Sequence, residues 1–148
     1  MLEAYRPIRD QIAQDIATAW PGVPVTFGRP LKGFRTWPQA VVLCSEVSRP
    51  FNSPRSVSEE YRFLIQLQAA KTAVPADAEG WKIDMAKVLG DLLAPSDDTD
   101  VPTPAGLYAG VAYNRRVTMV DLVQDDERDA ADYWQFFLEF RCESDVYQ

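Results

Sequence analysis

The sequence predicts one α+β domain: a mainly antiparallel β-sheet of about four to six strands, packed against two helices on one face. Three observations predict it. Two separated stretches repeat apolar residues every three to four positions, as helices with one buried face do. Other stretches alternate apolar and polar residues at period two, as half-buried strands do. Strands also follow each helix in groups instead of alternating singly with helices, which argues against a doubly wound parallel sheet. The 148 residues suit a single domain, expected over residues 1–148, with no linker, internal repeat or low-complexity tract.

The first helix is expected over residues 2–20. Tyr5, Ile8, Ile12, Ile16 and Ala19 share one face, while Arg9, Gln11, Gln14 and Asp15 fall mainly on others. Pro7 sits in the first turns, where a missing N–H is tolerated, and Pro21-Gly22 ends the element. Residues 24–28 read as a short strand and residues 40–47 as the next. Residues 57–69 form a longer one, with Tyr61, Phe63, Ile65, Leu67 and Ala69 alternating against Arg62, Gln66 and Gln68. A second helix is expected over residues 78–93, with Asp77 as its N-cap and Trp81, Met85, Val88, Leu89 and Leu92 as its apolar stripe. Residues 107–113 read as a short strand and residues 116–124 as another. The last strand covers residues 133–143, with Trp134, Phe136, Leu138, Phe140 and Cys142 inward and Gln135, Glu139 and Arg141 outward.

Hydrophobic residues at 47% and charged residues at 25% give an ordinary globular mixture, which excludes a disordered or collagen-like chain. No apolar run approaches the roughly 20 residues of a membrane span, so no membrane partner is expected. The N-terminus has neither a secretory nor a typical transit pattern. Cys44 and Cys142 both stand in strand-like settings. Buried reduced thiols suit them better than a bridge, which would need their two strands to pair, and a reducing cytoplasm fits that reading.

The net charge of −7 is unevenly spread. Residues 1–74 hold 9 Lys/Arg against 6 Asp/Glu, and residues 75–148 hold 6 against 16, a net +3 beside −10. The acidic total disfavours general nucleic-acid binding. Opposite halves suit head-to-tail docking of identical copies, and they equally suit a soluble surface on which both signs mix.

Motifs for chemistry are sparse. Histidine is absent, which removes the commonest general base and any zinc site built on Cys and His. The seven glycines form no phosphate-cradling turn, so no cofactor is expected. Asp97, Asp98 and Asp100 cluster, as do Asp125, Asp126, Glu127 and Asp129. Neither group has the glycine and distal glutamate of a calcium loop, and solvated loops account for both. No catalytic constellation emerges, and no enzymatic role is expected. The segment carrying Arg29, Lys32, Arg35 and Trp37 has three readings: a protein interface, a grip on single-stranded nucleic acid, and packing on its own domain. Arg49, Phe51 and Arg55 form a second basic loop of the same kind. These loops and the two acidic clusters are the interface candidates.

The succession of the Ile8/Ile12/Ile16 helix, strands 40–47 and 57–69, the helix from Trp81 to Leu93, and strands 116–124 and 133–143 resembles the tail terminator and tail completion (neck) proteins of long-tailed bacteriophages. The resemblance spans nearly the whole chain and is one of organisation, with no short diagnostic motif. It implies a ring of identical copies, a hexamer in that family, on the virion's tail or neck and assembled in the host cytoplasm. Such a ring would cap the tail tube, stop tube polymerisation and join the tail to the head-side connector or adaptor. DNA would pass through its channel without sequence-specific binding. The alternatives are another head–tail adaptor or a small cytoplasmic α+β protein with a ligand pocket between sheet and helices.

Overall fold

The computed structural model describes residues 4–28, 38–48, 57–70, 77–95, 107–119 and 133–146. Its elements run α1 (Tyr5–Ala19), β1 (Val25–Phe27), β2 (Gln39–Ser48), β3 (Val57–Ala70), α2 (Ala78–Leu93), β4 (Tyr113–Met119) and β5 (Tyr133–Val146). The strands make one mixed sheet in the order β1-β2-β3-β5-β4. β2, β3, β5 and β4 pair antiparallel, as expected, whereas β1 joins β2 in parallel.

Both helices lie on one face. Ile8, Ile12 and Ile16 of α1 and Leu89 and Leu93 of α2 share a buried cluster with Phe63, Ile65 and Leu67 of β3 and Phe136, Leu138 and Phe140 of β5. Period-two alternation places these strand residues on one side of the sheet and their neighbours on the other. The register puts Phe63 opposite Phe140 and Ile65 opposite Leu138, so large side chains meet across the central β3–β5 pair. Tyr5 stacks on Phe63 at 6.1 Å, and Trp81 meets Trp20 and Phe136 edge-on at 5.7 and 5.5 Å.

The helix ends follow the sequence. The Trp20 N–H donates to the Ile16 carbonyl at 2.8 Å, and Gly22 takes the left-handed conformation (φ 83°) that releases the chain toward β1. Asp77 caps α2 by accepting the Gly80 N–H at 2.9 Å. A Cβ at Gly80 would crowd the Asp77 carboxylate, so a larger residue there would displace the cap.

Several expectations change. Residues 107–112 are a tight turn and not a strand: Tyr108 and Ala112 exchange backbone hydrogen bonds at 2.7 and 2.9 Å around Ala109 (φ 55°) and Gly110 (φ 75°). Asp15 is buried, although the helical pattern sets it off the apolar face. In α2, Lys82 stands outside the apolar stripe and is only 1% exposed, while Val88 of the stripe is 50% exposed. Residues 120–124 of the expected strand lie outside the described residues, as do residues 2–3 of the expected first helix.

The turn suggests a stabilising change. Two successive positive φ angles define the hairpin turn that favours Asn-Gly, and an alanine in the first position costs about 1 kcal/mol of backbone strain. Ala109→Asn is therefore expected to raise stability by roughly 0.5–1 kcal/mol, measured by urea unfolding. An unchanged midpoint would mean that the turn carries no strain.

The two cysteines occupy β2 and β5, each paired to β3, with Cys44 opposite Phe63 and Cys142 opposite Tyr61. One intervening strand separates them by about 10 Å, too far for a disulfide. Both are free.

Candidate functional site

Every interface candidate named from the sequence falls outside the described residues: Arg29, Lys32, Arg35, Trp37, Arg49, Phe51, Arg55, Asp97, Asp98, Asp100, Asp125, Asp126, Glu127 and Asp129. The described residues instead present two surfaces and an interior polar network, only part of which is foreshadowed by the sequence pattern.

The first surface is the outer side of α2. Its residues Trp81, Met85, Val88 and Leu92 follow a four-three-four spacing, the spacing of a seam that meets another element. Leu89 and Leu93, one position further round, face the sheet and are buried. The seam is only partly covered: Trp81 and Met85 pack against the core, while Val88 stands exposed. Beside the seam run three exposed carboxylates seven residues apart, Asp77, Asp84 and Asp91. A groove of about 360 Å³ is lined by Asp77, Gly80, Trp81, Asp84, Met85 and Val88. Its floor is apolar and its rim is anionic. Trp20 and Phe136 pack edge-on against the Trp81 ring.

The second surface is the sheet face away from the helices, on which Gln39, Val41 and Gln68 are buried and the other described residues half-buried or exposed. Its register sets out cross-strand rows: Gln39, Gln68 and Gln135; then Val41, Gln66 and Phe137; then Leu43, Leu64, Glu139 and Thr118; then Glu46, Arg62, Arg141 and Arg116. The glutamine amides bond across three strands. Gln39 donates to Gln68, and the Gln68 and Gln66 amides donate to the Gln135 carbonyl at 3.2 and 2.8 Å. Like charges directly opposite one another are unfavourable, and two glutamates offset the arginine row. Arg62 lies 3.2 Å from Glu46 and 3.1 Å from Glu139, and Arg141 donates to Glu139 at 2.7 Å. These pairs are partly exposed, so each contributes little to stability. Below them a hollow of about 130 Å³ opens among Glu60, Asn114, Arg116, Arg141, Cys142 and Glu143.

Inside, the Tyr108 hydroxyl donates to Asp15 at 2.6 Å and the Gln11 amide donates at 3.1 Å. Arg115 donates to the Leu93 carbonyl at 3.1 Å and lies 5.0 Å over the Tyr108 ring. This network ties α1, the end of α2 and the 107–112 turn together. Tyr61 likewise donates to buried Glu59 at 2.6 Å, and burial together with that bond pushes its hydroxyl pKa upward. Lys82 covers the Trp134 ring at 5.8 Å.

None of these groups is arranged as a nucleophile with its base. Burial pushes the Cys142 thiol up to about 12 and raises that of Cys44 as well, which keeps both protonated near neutral pH. Among the described residues no three Cys, Asp or Glu side chains converge to hold a metal, and no helix is long and apolar enough to cross a membrane.

Burial raises the Asp15 carboxyl pKa, outweighing its hydrogen bonds from Tyr108 and Gln11 and the charge of Arg115. The folded state then holds that proton more tightly than the unfolded chain. The resulting stability is fully present below the unfolded value of about 3.9 and is lost as pH rises through the folded value. Paired thermal melts of wild type and Asp15→Asn should show a more favourable wild-type difference near pH 4 than near pH 7. An equal difference at both pH values would mean that Asp15 ionises as freely folded as unfolded.

No protein-family model matches the chain, and no curated protein does. Among solved structures the chain is similar to one from an assembly described as "Virion of native gene transfer agent (GTA) particle". That match has 15% sequence identity and a TM-score of 0.46, over 96% of this chain and 91% of the other.

Proposed function

We propose that this chain is a structural virion protein of a tailed-phage type, which assembles as a ring on the end of the tail tube. In this reading the ring stops tube polymerisation, joins the tail to the head-side connector and leaves a channel for DNA. It does no catalysis.

The observation that carries the reading is a pair of unlike surfaces on one two-layer domain. The sheet face away from the helices carries half-buried Leu43, Leu64 and Phe137 with paired charges, while α2 shows an anionic apolar groove along its half-exposed flank. A ring of identical copies requires a heterologous contact, one patch meeting a different patch on its neighbour. Two distinct surfaces on one domain suit that geometry. The succession of helix, strands, helix and strands also fits the tail terminator layout.

A ligand-binding protein with its pocket between the layers is the competing reading. The interlayer space is occupied by Ile8, Ile12, Ile16, Phe63, Phe136 and Phe140, all fully buried. Among the described residues, the two hollows described above lie on outer surfaces.

Light scattering on the purified chain, alone and with assembled tail tubes, tests the proposal. A closed oligomer of about six copies, free or formed on tubes, supports it. A chain that neither self-associates nor binds tubes overturns it.

A further inference from the structure

The sheet has two outer strands, β1 and β4, and among the described residues no strand lies beyond either. An edge strand presents backbone N–H and C=O groups that pair readily with another strand. At β1, the Gly28 N–H donates to the Val42 carbonyl and the Pro24 carbonyl accepts from the Ala40 N–H, both at 2.9 Å. Backbone groups alternate sides along a strand, so those of Val25 and Phe27 point away from β2.

The two edges carry the same short pattern. Val25-Thr26-Phe27 on β1 and Val117-Thr118-Met119 on β4 each read apolar, threonine, apolar. Val25 and Phe27 stand beside the core residues Ala40 and Val42, on the helix side, where Arg9 of α1 lies 4.3 Å over the Phe27 ring. Val117 and Met119 stand beside the core residues Phe140 and Leu138, on that same side. Thr26 and Thr118 are exposed and alternate to the other face. Phe27 is 41% exposed, a large ring at the rim of the sheet. Neither triplet holds a charge or a proline, two common means of keeping an edge unpaired.

Strand direction decides how the edges meet. β1 runs parallel to β2, and every later step, to β3, β5 and β4, is antiparallel, so β1 and β4 run in opposite directions. A second copy that continues the sheet, with its helices on the same side, brings its β1 alongside β4 antiparallel. Matching the faces then sets Val25 opposite Met119, Thr26 opposite Thr118 and Phe27 opposite Val117. Aromatic residues facing β-branched ones and threonines facing threonines are favourable cross-strand pairs. Had β1 been antiparallel to β2, this junction would be parallel, the slightly weaker pairing.

We propose that the β1 edge of one copy pairs antiparallel with the β4 edge of the next, so that the sheet runs on from copy to copy. The inference deepens the ring reading and rests on it. The contact is heterologous, one edge meeting a different edge, as a ring demands. So short a ladder is weak alone, but each copy in a closed ring holds two of them and leaves only by breaking both.

Cysteine cross-linking tests this on the full-length chain. Thr26→Cys and Thr118→Cys each replace an exposed residue, and facing positions of an antiparallel pair lie within disulfide range. One variant carries a short tag, and oxidation is carried out where light scattering shows association. An equimolar mixture should give a covalent pair holding one copy of each variant. Either variant alone should give no more than wild type, which retains Cys44 and Cys142. Phe27→Lys should weaken self-association about tenfold or more while the melting temperature stays near wild type. A covalent pair formed as readily by one variant alone overturns the contact, because that edge then meets its own kind. Association without any cross-link in the mixture, or undiminished in Phe27→Lys, overturns the contact and leaves the ring reading standing. A wild-type chain that never associates, alone or on tubes, overturns the ring reading and this contact together.

Discussion

Phe140→Ala is expected to cost about 3–5 kcal/mol and to lower the melting temperature by roughly 10 °C or more. Phe140 is fully buried on β5, opposite Phe63 on β3 and Val117 on β4. Its ring lies 5.3 Å from that of Tyr108, so it also supports the side chain that bonds Asp15. Truncation removes apolar contact on three sides and leaves a cavity where sheet and helices meet, which neighbouring strands cannot collapse to fill. A control sits three residues earlier in the same strand. Phe137 points to the open face and is half-buried, so Phe137→Ala should cost at most about half as much. Equal losses at the two positions, measured by urea unfolding, would mean that the helices do not define the buried side.

Ile12→Ala is expected to cost about 2–5 kcal/mol. Ile12 is the centre of the Ile8, Ile12 and Ile16 row, through which α1 joins the core. The helix has no side-chain N-cap bond, no acidic residue in its first turn and no basic residue in its last. Its stability therefore comes from packing, since isolated helices of this length are marginal in water. Amide exchange across α1 should accelerate along with the loss of global stability. A cost under about 1 kcal/mol would show that α1 is only lightly attached.

The sequence discloses most where the two sides of an element differ sharply. In β3, Tyr61, Phe63, Ile65 and Leu67 alternate with Arg62 and glutamines, and the buried side follows directly. In α2 the pattern is ambiguous. Trp81 and Met85 belong to both an inner edge with Leu89 and Leu93 and an outer edge with Val88 and Leu92. Periodicity reports an apolar stripe without saying which edge meets the sheet. Asp15 and Lys82 escape for a different reason. Asp15 is satisfied by Tyr108, 93 positions away in sequence, and Lys82 lies over Trp134; only folding brings such partners together. The parallel β1–β2 pair is likewise a matter of chain path, which local composition does not encode. For the site, charge counting favours the loops, and periodicity assigns the half-exposed α2 edge to the core. The signal that separates that edge is the row of aspartates at 77, 84 and 91.

The claim that this domain works as one member of a closed ring is tested most directly by its mass in solution. Light scattering across a concentration and salt series, with tail tubes in a parallel set, should reveal a discrete closed oligomer whose formation weakens as salt rises. A monomer at every concentration, salt and tube condition would contradict the account.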